Sequence, residues 1–425
     1  MAVEEKLLSP WTDSKITIQK HIINLDQLIL IGILITIFFM PLHEKLKAAG
    51  FWMTLAFWLT KLVRERDKQK LWIPPLAWAM LFFVGVAFLS AIFSDYDNRA
   101  TRGALDALRN TIFFLILIHS IDTYPKIKYV LLSLMGGIVL GDLAGIYKYF
   151  SIGPELEMLS LGDKNSTAQV LAMFLAVLLG LILSLKREYL FKSTLILVTG
   201  LTGFVLVLTY ARGIWLAILA MLIIVGLIRL DWKALLAIIL LVGTVWIGMS
   251  FSERLTQKVA TLKSPFTEAN MVGRYEIWRE SLEIIKDRPL LGIGLKTYGL
   301  PQVTHKYHLV SASHAHNMFL NVAVETGLTG LVALIACLIF YFYAIIRMRI
   351  GMDSGMRQGL WLGGLGCLVV LLVGGITHPM LGSESSLMLM TVLGLMFAAF
   401  RIENGTSVEV AASLFKMPGG KRWRQ

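Results

Sequence analysis

Charge is scarce in this sequence and cysteine is nearly absent. Of its 425 residues only 16% are Asp, Glu, Lys or Arg, while 56% are hydrophobic, well beyond the apolar share of a soluble domain. The two cysteines, Cys337 and Cys367, both fall inside apolar runs. That excludes a disulfide framework and a cysteine metal site, and leaves them as small core residues. Also missing are a P-loop, a Rossmann glycine fingerprint and metal-ligand spacings such as HExxH. The expectation is therefore no metal, no cofactor and no ATP chemistry on this chain. No small-residue cleavage site follows the first apolar run, so no cleavable signal peptide is expected. The formal charge of +12 does not point to nucleic acid, because the basic residues sit in short alternate loops and no basic domain remains to grip a polymer.

What the sequence has in abundance is apolar runs, many of them near the roughly 20 residues that cross a bilayer. Twelve are read, at 25–42, 50–62, 72–93, 104–121, 127–151, 166–185, 191–208, 212–230, 232–250, 315–346, 358–377 and 384–402. The first two are short and fit a half-inserted pair as well as two full spans. The fold class is thus an all-α integral membrane protein of about 12 transmembrane helices. Basic loops such as "KLVRERDKQK", "LKREYLFK" and "RMRIGMDSGMRQ" belong in the cytoplasm together with both termini. The opposite face then carries one large periplasmic loop. The expected layout is 1–249 for spans one to nine, 250–313 for the loop, 314–402 for spans ten to twelve, and 403–425 for a cytoplasmic tail.

Within that loop, "MVGRYEIWRESLEIIKDRPLLGIG" reads as an amphipathic helix with Tyr275, Trp278, Leu282 and Ile285 on one apolar face. Pro289 stops it, and Gly292 and Gly294 turn the chain. Arg274 is placed in the first turn of this helix, against the helix dipole, where a phosphate partner would satisfy both. Arg212, in "TYARGIWLA", heads an apolar run on the outward side. The positive-inside rule does not explain it there, and ionisable groups at such places mark substrate paths. A helix beginning near His314 in "SASHAHNMFLNVAVETGLTG" would put His316, Leu320, Ala323, Gly327 and Gly330 on one face, with His316 at the outer mouth. Glu325 falls out of phase with His316, which excludes a simple His–Glu dyad. "LGDKNSTAQ" supplies Lys164 and Asn165, with Asn165 or Ser166 as helix cap. "SDYDNRATRG" supplies Arg99 and Arg102 at another outward tip.

Arginines suit phosphate or diphosphate through their bidentate fork, and histidine suits acid–base work near neutral pH. Together they fit an activated donor that carries its own diphosphate leaving group, stabilised by fixed cations in place of a metal. The segments "TYARGIWLA", "GRYEIWRESLEIIKDRPLLGIGLKTYG" and "HAHNMFLNVAVETGLTGL", in that order over roughly residues 160–335, resemble the O-antigen ligase and polymerase superfamily of bacterial inner-membrane proteins. "GDKN" is similar to a further segment of it. The resemblance implies a C-type glycosyltransferase with its active site facing the periplasm. The donor would be undecaprenyl diphosphate-linked O-antigen and the acceptor a sugar hydroxyl of the lipid A–core, with inversion at the anomeric carbon. By the same resemblance Arg212 and Arg274 engage the donor diphosphate and His316 is the base. His314, Asn317, Arg99, Arg102, Lys164 and Asn165 are secondary candidates. Within the family the rivals are an O-antigen polymerase and a protein O-oligosaccharyltransferase. From another class, a secondary transporter would carry polar residues near the midplane. Here the spans are nearly free of internal charge, with Arg109, Asp142, Lys148 and Glu325 as exceptions.

Overall fold

The computed structural model describes residues 24–65, 71–151, 153, 157–229, 243, 268–307, 313–349 and 355–403. Among the described residues all regular structure is helical. In chain order the helices are α1 (Leu25–Phe38), α2 (Glu44–Arg64), α3 (Pro75–Ile92), α4 (Asp97–Ser120), α5 (Tyr124–Ser151), α6 (Lys164–Ser184), α7 (Tyr189–Leu208), α8 (Arg212–Arg229), α9 (Glu268–Asp287), α10 (Pro301–Lys306), α11 (Met318–Met348), α12 (Gly355–Gly375) and α13 (Ser383–Glu403). Seven of these, α3, α5, α6, α7, α11, α12 and α13, are long and apolar enough to cross a membrane. Eleven of the twelve expected runs coincide with helices, and the run at 232–250 lies, apart from Gly243, outside the described residues. The first two form an antiparallel hairpin, the second reaching 21 residues because polar residues at both ends prolong it.

The centre of the bundle is α6, α12 and α13, which are mostly buried, while α7 and α11 show most of their surface outward. Lipid is as apolar as leucine, so close packing and internal polar contacts hold such helices together. Each charge inside the runs finds a partner. Arg109 pairs with Asp106 at 3.1 Å, Lys148 with Glu157 at 3.0 Å, and Asp142 accepts from Thr202 at 2.7 Å. At the end of the bundle where α3, α5, α7 and α12 finish and α4, α6, α8, α11 and α13 begin, α9 and α10 lie with their connections.

Three expectations are corrected here. The amphipathic helix begins at Glu268, six residues before Arg274, so Arg274 is in its second turn and the first-turn dipole argument falls. Its buried face is Ile277, Ser281 and Ile284, whereas Tyr275 and Leu282 are exposed. The face is rotated because Ser281 accepts a place against the Tyr298 hydroxyl, 3.0 Å away, so a hydroxyl pair fills a position that apolar periodicity skips. The helix after the histidines starts at Met318, not near His314, and it is broken at Gly327.

That break has a cause. Gly327 holds φ 69 and ψ −175, a region open essentially to glycine alone. The segment after α9 docks into the gap: Leu328 N–H donates to the Pro289 carbonyl at 2.8 Å, Ile293 N–H to Val324 at 3.1 Å and Gly294 N–H to Glu325 at 2.8 Å. The backbone groups freed by the break are thus satisfied by protein, as non-helical backbone at membrane depth requires. Glu325 itself is buried and accepts the backbone N–H groups of Lys296 and Tyr298. Its work is to fasten the loop to the helix.

Candidate functional site

The loop "SHAHN" is fixed atom by atom before α11 begins. Asn317 caps α11, its side chain accepting from Leu320 N–H at 3.0 Å. Ala315 is fully buried and held from both sides: its N–H donates to Asn321 Oδ1 at 3.1 Å and its carbonyl accepts from Trp278 Nε1 at 3.0 Å. Trp278 lies on α9, one turn beyond Arg274, so this bond ties the arginine-bearing helix to the histidines. The His316 N–H donates to Nδ1 of His314 at 3.2 Å, and His316 takes φ 49. A non-glycine residue in the left-handed region is uncommon and strained. Here the hydrogen bond that its N–H donates to the His314 ring holds it there. Tyr210, two residues before Arg212, and Lys296 share that conformation.

A third ring joins these two. His378, in the turn after α12, packs at 6.0 Å from the ring of His316 and 6.4 Å from that of His314, while His314 and His316 meet edge to face at 4.2 Å. Arg212 opens α8 at the same end, close enough to Arg274 to lower its pKa along with burial. Burial first, then His314 and Arg274, push the His316 pKa down to about 4. Burial and the same neighbours push His378 down to about 4 as well. His314 is also lowered by burial, with Asp163 pulling the other way. All three imidazoles are therefore neutral at pH 7, Arg274 stands beside them with Arg212 next to it, and Nδ1 of His316 is buried with no hydrogen-bond partner. Among the described residues no group of His, Cys, Asp and Glu has the spacing of a metal site.

The secondary candidates divide. Asp163, not Asn165 or Ser166, caps α6, because its carboxylate accepts both of their N–H groups, at 2.7 and 3.0 Å. Lys164 and Asn165 form the first turn behind it. Arg99 donates Nε–H to the Lys296 carbonyl at 3.3 Å. Together with His314, Arg99 lines a cavity of about 480 Å³ whose wall also includes polar Lys296, Asp106 and Asn321 and apolar Leu334, Leu338 and Leu371. Arg102 is exposed on α4 and outside that wall; Arg212, Arg274, His316 and Asn317 are half-buried and also outside it. Sequence reasoning missed His378, Trp278 as a donor, and Asn321. The signal for Asn321 is its place four residues after Asn317. His378 stands alone in "ITHPM", about 60 residues from its partners, and only the fold brings it in.

A multi-pass helical membrane protein with arginines and histidines gathered at one end of its bundle is the class these observations define. Residues 195–335 match the family model described as O-antigen ligase. The exopolysaccharide production protein ExoQ of Rhizobium meliloti is 27% identical over 110 residues, which cover 24% of this chain and 25% of that protein. An uncharacterized protein of Haemophilus influenzae is 23% identical over 341 residues, 72% of this chain and 76% of its own length. Over residues 195–335, about a third of its length, the chain is similar to the O-antigen ligase superfamily. The matched domain contains Arg212, Arg274, His314 and His316, and it begins after Lys164 and Asn165, so it is narrower than the resemblance at 160–335 suggested.

Proposed function

We propose that this protein is an O-antigen ligase of the inner membrane. It transfers glycan from undecaprenyl diphosphate to a sugar hydroxyl of the lipid A–core on the periplasmic face, with both termini in the cytoplasm and twelve spans. The observation that carries this reading is the convergence of Arg212 and Arg274, from separate helices, beside neutral histidines. Two guanidinium groups brought together and half-buried repel one another, and a diphosphate between them turns that repulsion into bidentate attraction.

In the mechanism, Arg212 and Arg274 bind the donor diphosphate and stabilise the negative charge that grows on it as the glycosidic C–O bond breaks. His316, neutral at pH 7, accepts the proton of the acceptor hydroxyl as that oxygen bonds to the anomeric carbon. His314 holds the His316 backbone in place. The cavity beside His314, lined by many apolar side chains as well as polar ones, suits the isoprenoid chain of the donor. No step needs a metal. The exopolysaccharide relative favours a second reading in which the acceptor is another carrier-linked glycan, as in a polymerase.

Lipopolysaccharide profiling in a ligase-deficient strain tests the proposal. The wild-type chain is expected to restore the O-antigen ladder. His316→Ala, present at equal membrane levels, is expected to lose it and accumulate carrier-linked glycan. A ladder from His316→Ala rejects the base assignment. No ladder from the wild type, with longer carrier-linked glycan instead, moves the reading to polymerase.

A further inference from the structure

The turn after α12 is built into the site from three sides. Its backbone is fixed by Thr377 and His378 N–H groups donating to the Gly374 carbonyl at 2.9 and 3.0 Å. The carbonyl of Ile376 accepts from the Asn317 side chain at 3.5 Å, next to His316. Gly213, the residue after Arg212, lies so close to the turn that a Cβ there would stand 2.3 Å from Thr377 Oγ1. The turn is thereby clamped between the residue before α11 and the start of α8. His378 is 8% exposed, and its Nδ1 meets Thr377 Oγ1 at 3.1 Å, which leaves Nε2 as the nitrogen for the site.

His316 needs such a neighbour. A histidine that takes a proton on one ring nitrogen ordinarily gives the other N–H to a carboxylate or carbonyl that steadies the cation. Nδ1 of His316 is buried without a partner, and Glu325 is committed to loop backbone. The charged groups near the three rings are Arg274 on α9 and Asp163 at the cap of α6, with Arg212 at the start of α8 next to Arg274. The neutral base nearest to His316 on a separate element is His378, edge to face at 6.0 Å and 79°.

We propose that His378 is a positioning residue acting through His316: its ring orients that imidazole and shares the proton it takes from the acceptor hydroxyl. The step balances without any further reactant. The acceptor O–H bond breaks toward His316, the new C–O bond forms with that oxygen's electron pair, and the old glycosidic pair leaves on the diphosphate. The proton then passes between His316 and His378 and out to water. The inference rests on the donor reading above. A diphosphate among the rings offsets Arg274 and raises their proton affinity, so the pair becomes able to hold one proton between them.

The experiment uses the full-length protein in detergent, with farnesyl diphosphate as probe. Calorimetric titration near pH 6 in two buffers of different ionisation enthalpy reads the protons taken up on binding. The wild type is expected to take up a measurable fraction of a proton. His378→Phe, which keeps the ring volume, is expected to take up less than half as much, and His378→Gln, which keeps an acceptor oxygen, to recover most of it. In the transfer assay at saturating donor, His378→Phe is expected to lose roughly tenfold or more in kcat with little change in KM, again with rescue by His378→Gln. Proton uptake and kcat in His378→Phe equal to wild type overturn the inference and leave the donor reading standing. So does a loss that appears wholly in KM, or binding by the wild type with no proton uptake. Failure of the wild type to bind farnesyl diphosphate overturns the donor reading itself, and this inference with it.

Discussion

Replacing Gly327 with alanine tests whether the broken helix is what positions the site. The residue sits at φ 69 and ψ −175, where a side chain costs about 1–3 kcal/mol in backbone strain. The added methyl would stand 2.1 Å from the Leu290 carbonyl oxygen and 2.5 Å from Leu291 N, both backbone atoms in a docked segment. Overpacking of that kind adds about 1–3 kcal/mol, giving a total of about 2–6 kcal/mol. The strain falls on the link from α9 to α11, and α9 carries Arg274 and Trp278. Tryptophan fluorescence melts of the detergent-solubilised protein are expected to show a Tm lower by several degrees, with transfer falling more than tenfold at the assay temperature. Gly200→Ala is the control, because nothing lies within 4 Å of a Cβ there. It should be neutral or slightly stabilising. A Gly327→Ala protein with wild-type Tm and rate would refute the reasoning, since the docked segment would then not depend on the glycine.

Three further outcomes are expected. Arg212→Lys and Arg274→Lys each keep the charge but lose the fork; at about 1.5–3 kcal/mol for a charged hydrogen bond, farnesyl diphosphate should bind roughly tenfold to a hundredfold more weakly by calorimetry, and unchanged affinity would remove that arginine from the site. Because burial, His314 and Arg274 hold His316 down at about 4, its base form persists as pH falls below the usual histidine value of 6.5. kcat/KM should be flat between about pH 6 and 8, while the acid limb of kcat, which reports the donor-bound protein, should lie at higher pH; a kcat/KM limb near 6.5 contradicts this. His314→Ala removes the acceptor for the His316 N–H, worth about 1 kcal/mol, so turnover should drop roughly fivefold, with partial recovery in His314→Asn; equal rates for the two would assign His314 a different role.

Much of the framework was legible without coordinates. Apolar runs located the helices because a segment in lipid must satisfy its own backbone, and helix is the local way to do so. Arg212, His314 and His316 stood out because charged or polar side chains at the head of an apolar run need a reason to be there. The tenth run was only half legible. "VETGLTG" reads as a helix face by periodicity, and the break at Gly327 depends on the distant Pro289–Gly294 peptide that occupies the gap.

What the sequence determined by itself is the membrane class, the order of the apolar helices among the described residues, and the residue types suited to a diphosphate. Those follow from local hydropathy and from side-chain chemistry, which need no partner to be recognised. Only the tertiary structure decided which of those residues meet. It turned Tyr275 and Leu282 outward, gave α6 the Asp163 cap, left Arg102 exposed, and closed His378 onto His316 through a turn clamped by Gly213 and Asn317. The reason is physical: a ring contact between residues 62 positions apart is set by how α8, α11 and α12 pack, and no local pattern encodes that packing.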